Sequence, residues 1–563
     1  MFIDTRQVNE GATVRTSVCV IGGGVAGITI ALELDKHRIE TCLLESGGFS
    51  PDDQTRDLYR GENVALPYSF ADGCRTRFLG GSSNCWGGWC RPWDAWEFDK
   101  REWVHFSGWP FGSDAVSPYL KRVHEILQLG PLNYDPAFWE AAVKRKDLLR
   151  FPLTSGRVRD IVCQFSPPTR FGKLYRATLQ RSRCVSVYLY ANAVELETDA
   201  TARNVTSVRV RTLTGRTIHV SARLVILATG GIENARLLLT SRGVQTTGLG
   251  NSADLVGRFF MDHPRLYSGS VTFKKPWTRN MLYDAKFHYQ NPAVAAYGTR
   301  IAAQLALKPE IVEQEQLLNC HVWFSSLFFG EDTEAAETLR RIRRTLSKME
   351  QPGSSLGQDL AALMANPIDT LGFGFSRQFR PRQLIKSIRL QAIVEPEPNP
   401  DSCVTLSCER DQLGMNRVRV IWKLGSAVQR TFNRTFTIVA DDLRRNGIAD
   451  IALDPALEGG SWPETLESTS HHMGTTRMHD SPRYGVVDRN CRVHSVNNLY
   501  IAGSSVFPTG GTNFPTITIV ALALRLSDHV ANELQCNTWV GASGLASAPL
   551  SSRVPAMPGS VNS

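Results

Sequence analysis

Apolar positions along this chain fall into two kinds of short segment. The first kind is largely unbroken: Val18-Cys19-Val20-Ile21 and Glu40-Thr41-Cys42-Leu43-Leu44 predict strands, and Leu224-Val225-Ile226-Leu227-Ala228 is a continuous apolar run that predicts a buried parallel strand. Asn498 to Ala502 is read as a further strand. The second kind alternates. Val185 to Tyr190, Val194 to Leu196, Val205 to Arg211 and Thr217 to Val220 predict an antiparallel meander. Ser387 to Val394, Cys403 to Ser407 and Arg417 to Trp422 predict three more strands. Helices are predicted from Val25, behind Gly230-Gly231, and from Pro515 to Leu534. Proline suits the first position of that last helix because no N–H is needed there.

The turn after the first strand carries the first chemistry. It reads Gly22-Gly23-Gly24-Val25-Ala26-Gly27. Gly22 permits a tight strand-to-helix turn, Gly24 lets a pyrophosphate approach the backbone, and Gly27 lets the helix pack on the sheet. Unpaired N–H groups at the helix start, around Val25 and Ala26, then face the phosphates with the positive end of the dipole. Glu45, followed by Ser46, ends the second strand about 20 residues later, where a ribose-hydroxyl acceptor is expected. An acid there argues against a 2′-phosphate. The loop alone does not choose between NAD and FAD.

Composition narrows the class. At 563 residues the chain is too long for one ordinary domain. No run of 18 apolar residues is present, so no membrane span is predicted. The first residues lack an apolar signal region and a twin arginine, and the twelve cysteines form no CxxC pair; both predict a cytoplasmic protein. The net charge of +9 is dispersed, apart from Arg340-Arg341-Ile342-Arg343-Arg344, read as the solvated face of a helix, and no nucleic-acid partner is expected. The segment after Cys536, rich in Ala, Ser, Gly and Pro, is expected to be a disordered tail.

Five further segments occur in order: Phe78-Leu79-Gly80-Gly81-Ser82-Ser83-Asn84-Cys85-Trp86, Leu224 to Arg236, Gly257-Arg258-Phe259-Phe260-Met261-Asp262-His263-Pro264, Pro398-Asn399-Pro400-Asp401-Ser402, and His471-His472-Met473-Gly474-Thr475-Thr476-Arg477 with Gly510 to Thr516. Together they resemble the glucose–methanol–choline (GMC) oxidoreductases, FAD enzymes that oxidise alcohols, and within them the pyranose-oxidase-like branch with bacterial sugar and aminosugar alcohol dehydrogenases. The resemblance covers most of the chain but is weak over 265 to 390, where the substrate is expected to be read. It implies an α/β fold with a discontinuous Rossmann-like FAD-binding domain (1–100, 185–264 and 479–535) and a mixed α+β substrate domain (101–184 and 265–478), followed by the tail 536–563. It implies FAD as cofactor, in contact with Gly80, Gly81, Ser82, Asn84, Cys85, Trp86, Val194, Ala228, Gly503, Ser504, Asn513, Pro515 and Thr516 besides the glycine loop, Glu45 and Ser46.

Oxidising an alcohol removes a hydride from carbon and a proton from oxygen, and a base with a pKa near working pH must take the proton. The resemblance gives that role to His471. His472, its neighbour in an extended segment, points to the opposite side and is read as structural. No third ligand makes the pair a metal site. Two positions depart from the family. Where relatives carry Asn or His before Pro-Thr, this chain has Phe514, with Asn513 one residue earlier. Either Asn513 reaches the site through a shifted backbone, the reading we favour from sequence, or Phe514 occupies it and His471 works in a more apolar pocket. Cys85 stands where flavin-linked relatives have histidine, and a non-covalent FAD is expected. The dipole of the Pro515 helix is expected to face flavin N1 and C2=O, where charge accumulates on reduction. The reading is oxidation of a sugar, aminosugar or polyol-like alcohol, with O2 or another acceptor. An electron-transfer subunit or a flavoprotein lyase or decarboxylase on the same fold is the alternative.

Overall fold

In the computed structural model, residues 1–68, 73–143, 150–275, 281–287, 297–346, 356–457 and 461–536 are described. The expected tail beyond Cys536 lies outside them. The first sheet is built around Thr13–Ile21, whose end, Val18 to Val20, has no exposed surface. In spatial order its strands are Phe2–Asp4, Val185–Leu189, Thr41–Leu44, Thr13–Ile21, Thr217–Leu227, Val205–Arg211 and Asn192–Thr198, with Leu499–Ile501 also paired to Thr217–Leu227. The contacts from Phe2–Asp4 through Thr217–Leu227 and on to Leu499–Ile501 are parallel. Only the last three strands of the order form an antiparallel meander.

Two sequence expectations change here. Val185–Leu189 was expected in the meander but lies inside the parallel sheet, because four of its five residues are buried and a one-sided strand cannot hide them. Thr217 to Val220 and Leu224 to Leu227 are one strand. Its first half pairs with Val205–Arg211 and its second with Leu499–Ile501, which accounts for the switch from alternating to continuous apolar pattern. The helix Val25–Lys36 packs on this sheet through small residues, and the C-terminal helix Thr516–Cys536 packs against it.

The second sheet is antiparallel, in the order Glu467–Ser468, Pro264–Ser268, Ile385–Val394, Cys320–Phe328, Arg300–Leu307, Val158–Phe165, Trp89–Cys90. The helix Ser426–Arg445 covers it through Val428, Phe432 and Val439, all fully buried. Cys403–Arg410 and Asn416–Ile421 do not join this sheet; they pair with each other and with Gly61–Asn63. No helix among the described residues is long and apolar enough to cross a membrane.

Candidate active site

The parallel strands end at a cradle of glycines. Gly22 adopts φ +112°, and a Cβ placed there would lie 2.6 Å from the Ala228 carbonyl oxygen. At Gly27 a Cβ would meet the Gly22 carbonyl at 1.9 Å, so the helix start cannot pack here with any side chain. Gly24 caps the helix and faces Gly81, whose own Cβ would come within 2.9 Å of it, which brings the Gly80–Asn84 turn against the dinucleotide loop. Space stays open beside Gly230 (φ +90°) and Gly503 (φ +102°), where a Cβ would meet nothing within 4 Å. Glu45 is buried and accepts N–H from Gly23 at 3.0 Å and from Gly47 at 2.8 Å. Burial raises its pKa against those bonds. Oε1 also accepts the Ser46 hydroxyl at 3.2 Å, so Oε2, with Gly23 as its one donor, keeps a lone pair for a ribose hydroxyl. Ser46 takes the Arg77 guanidinium at 3.0 Å, and Asn84 donates to the Leu79 carbonyl at 3.1 Å, holding the turn. Asn234 ties three segments, accepting from Thr229 N–H at 2.9 Å and donating to Ala502 O and Ser505 Oγ. Ala228 and Ser504 are buried at strand ends on this rim, and Val194 is buried on the strand Asn192–Thr198. A glycine-lined, acid-terminated cradle fits an adenine dinucleotide. Gly22→Ala is expected to yield protein with less than about a tenth of the wild-type flavin absorbance, since both the φ and the Ala228 contact exclude a methyl group.

Two sequence-distant segments meet above that cradle. Met261 and Met473 exchange backbone hydrogen bonds at 3.0 and 2.9 Å. The bridge places the Asp262-His263 dipeptide beside residues 469–471. Asp262 accepts the N–H groups of Ser470 and His471, both at 2.9 Å, with the Thr469 hydroxyl at 2.9 Å and the Tyr68 hydroxyl. Ser470 is thereby held at φ +63°, an uncommon backbone for serine, next to the candidate base. Burial lifts Asp262 to about 6 despite these bonds.

The imidazoles of His263 and His471 meet Nδ1 to Nδ1 at 2.8 Å. His263 Nε2 lies 2.7 Å from the Gly511 carbonyl, which can only accept, so His263 carries a proton on Nε2. Burial holds the His263 pKa down to about 4, so the ring is neutral and its Nδ1 has only a lone pair. The facing Nδ1 of His471 is therefore the donor. Thr469 Oγ1, at 2.9 Å, shares that proton, its own hydrogen going to Asp262 or the His263 carbonyl. Burial above all, with the Arg265 cation nearby, holds His471 well below the ordinary histidine value. A neutral ring with its proton on Nδ1 presents the Nε2 lone pair as a base. In the sequence His263 lies within a motif that assigns it no chemistry; only the pairing of Met261 with Met473 brings it to His471.

His472 turns the other way, stacking near Phe260 and Tyr68, with its pKa lowered by burial to about 3. Asn513 is 1 % exposed and donates to the Pro92 carbonyl and Glu97, both at 3.3 Å. Phe514 is the residue against His471: its ring meets that imidazole edge-on at 5.7 Å and Trp89 at 5.2 Å. The sequence-favoured pairing of Asn513 with His471 is thus not what the structure brings together. Glu97, buried and raised to about 7, captures both Thr512 N–H and the Asn513 amide and turns that side chain inward. Trp89 continues the wall to Trp323, whose indole N–H reaches Gln391, and Gln391 donates to Tyr267. Pro515 precedes the helix Thr516–Cys536, as expected. The Trp86 indole N–H is committed to the Thr169 carbonyl at 3.0 Å, and the Ser82 carbonyl takes the Cys85 thiol at 3.3 Å. Burial pushes that thiol up to about 12, so it is protonated and a poor nucleophile. Among the described residues no group of three His, Cys, Asp or Glu is placed to hold a metal.

Comparison with known proteins finds similar chains. Residues 398–523 match the model of the GMC oxidoreductase C-terminal region. Paromamine 6'-oxidase of Streptomyces fradiae is 25% identical over 92% of this chain and 91% of its own length. The fructose dehydrogenase large subunit of Gluconobacter japonicus is 24% identical over 60% of this chain, which spans about half (53%) of that subunit. Formate oxidase of Aspergillus oryzae shares the fold, with a TM-score of 0.55 at 17% identity over 94% of this chain and 100% of that one. Pyridoxine 4-oxidase of Mesorbium loti does so at 0.51 and 16%, over 91% and 99%.

Proposed function

We propose, from the premise that this chain is a GMC oxidoreductase, that it oxidises the CH–OH group of a sugar, aminosugar or polyol, with FAD as cofactor and His471 as general base. The observation that carries the reading is the Gly511–His263–His471 chain, which leaves the His471 Nε2 lone pair free for a hydroxyl proton. Gly22, Gly24, Gly27 and Glu45 would hold the adenine dinucleotide half of FAD, with Gly80–Asn84 and Gly503-Ser504 around the rest. When bound, FAD supplies the acceptor for the hydride. The protein residues do the remainder. His471 Nε2 takes the hydroxyl proton while His263 and Thr469 steady the resulting imidazolium through its Nδ1–H. Phe514 and Trp89 form an apolar wall that keeps water from the base. The Cys85 thiol, protonated and bonded to backbone, supports FAD held without a thioether.

The substrate class follows from the same wall. Trp89 and Phe514 offer ring faces to the C–H side of a sugar, while Gln391 and Tyr267 offer polar atoms nearby. The names of the paromamine and fructose enzymes point to the same chemistry. Anaerobic mixing of the flavin-loaded protein with sugar alcohols and aminosugars tests the proposal: the flavin absorbance bleaches with an active substrate, and failure across the whole class ends the reading. Phe514→Ala is expected to raise KM about tenfold, the scale of one lost aromatic contact, with flavin content unchanged.

The pH dependence has a definite sign. Catalysis needs neutral His471, whose pKa lies below the ordinary value near 6.5. The acid limb of kcat/KM is therefore expected well below pH 6.5, with full activity still present at about pH 6.5. A limb centred at or above that value would contradict the buried, neutral base.

A further inference from the structure

The pocket beside His471 has a polar mouth that the proton transfer does not use. His263 precedes the strand Pro264–Ser268, and Arg265 and Tyr267 follow it at steps of two, so the three side chains share one face. Each step spans about 7 Å, the reach of one sugar ring. Gln391 lies opposite Tyr267, and Trp323 opposite Gln391, which continues the row across the sheet. The row then closes on itself. Trp323 meets Trp89 at 5.9 Å, and Trp89 meets Phe514, whose ring lies against His471. Arg265 and Tyr267 therefore border the same pocket as His471. The Arg265 charge is near enough to help lower the His471 pKa, after burial.

Hydrogen-bond polarity in that row is fixed from one end. The Trp323 indole N–H can only donate, and it donates to Gln391 Oε1 at 2.9 Å. The Gln391 amide nitrogen must then face Tyr267, and it donates to the phenol oxygen at 3.1 Å. The Tyr267 proton is left for another acceptor. One step back along the strand, Arg265 lies opposite Glu467. Its Nε and Nη2 donate to a single carboxylate oxygen, Oε2, at 2.9 and 2.5 Å. Glu467 Oε1 remains an acceptor and Arg265 Nη1 a donor. The two side chains are 33 % and 48 % exposed, so a ligand can reach both.

Charge decides what these groups can hold. Arg265 is answered by Glu467, and Arg389, on the same face beyond Gln391, is answered by Asp454 at 2.8 Å. An ammonium drawn to Glu467 would have to sit beside the Arg265 guanidinium. A carboxylate drawn to Arg265 would have to sit beside Glu467. A hydroxyl meets neither conflict, because it donates and accepts at once. Resting on the function proposed above, we propose that Arg265, Glu467 and Tyr267 form a subsite for the substrate's remaining hydroxyl groups, which selects an uncharged sugar or polyol over its amino counterpart.

Anaerobic flavin bleaching at about pH 6.5, where the amines are charged, tests this on the flavin-loaded protein. The probes are D-glucose, D-galactose, D-mannose and D-glucitol, each beside its 2-amino-2-deoxy counterpart. The uncharged member is expected to bleach the flavin about tenfold more efficiently, the weight of one hydrogen bond to a charged group. Tyr267→Phe and Glu467→Ala should each raise its half-saturating concentration about five- to tenfold, with a smaller change in limiting rate. Arg265→Gln leaves Glu467 unanswered, so the amino member should gain on the uncharged one, a change that a merely structural role would not produce. The ion pair is exposed and adds little to stability, so the variants should keep their flavin. Equal or better use of the amino members by wild type overturns the subsite, and so does an unchanged preference in Arg265→Gln. If no compound of either kind bleaches the flavin, the proposed function itself falls, and the subsite with it.

Discussion

His471→Ala is expected to slow flavin reduction by the alcohol about 10²–10⁴-fold, the range supplied by a positioned general base, while the protein stays yellow. The glycine cradle and the Asp262 grip on the backbone do not depend on the imidazole. Asp262 bonds the amide of residue 471, not its side chain. Cofactor retention and loss of chemistry should therefore separate cleanly. The measurement is the limiting rate of anaerobic bleaching in stopped flow, compared with wild type at equal flavin content. A loss smaller than about fivefold would remove residue 471 from proton transfer. His472→Ala is the internal control: that ring lies among Phe260 and Tyr68, so its loss should lower stability more than the rate.

His263→Phe is expected to cost about 10- to 100-fold in the same rate, the usual scale when an imidazole loses the partner that orients it. Phenylalanine cannot accept the His471 Nδ1 proton. The tautomer with the proton on Nε2, useless as a base, then becomes accessible, with Thr469 the remaining partner that holds the proper one. A neutral His263 accepts the Nδ1 proton and so also steadies the charged ring; its removal should move the acid limb of kcat/KM to lower pH, a change that simple loosening of the fold would not produce. His263→Asn places an acceptor oxygen close to the lost Nδ1 and should restore most of the rate. If the phenylalanine and asparagine variants behave alike, the tautomer argument fails, even if His471→Ala is inactive.

The glycine turn and the acid that follows it were legible in sequence because their determinants are local. Gly22, Gly24 and Gly27 are fixed by a turn only six residues long, and Glu45 by the length of one βαβ unit. The strand Leu224 to Leu227 announced its burial by continuity alone. The errors fall where neighbours decide. Val185–Leu189 has an alternating outline, yet the gap it fills between Phe2–Asp4 and Thr41–Leu44 makes it a parallel strand. Asn513 and Phe514 are adjacent, and no sequence rule states which turns inward; a buried carboxylate more than 400 positions away, Glu97, captures the amide and so assigns the pocket to phenylalanine.

The chain's own order of residues thus determined the glycine loop and the parallel strands that present it. These depend on short-range backbone conformation and on hydrophobic period, both written within a few residues. Only the tertiary structure decided that His263 meets His471 Nδ1 to Nδ1 and that Phe514, not Asn513, lies against that ring. Hydrogen bonding and burial between segments hundreds of residues apart settle such matters, and they exist only once the chain has closed on itself.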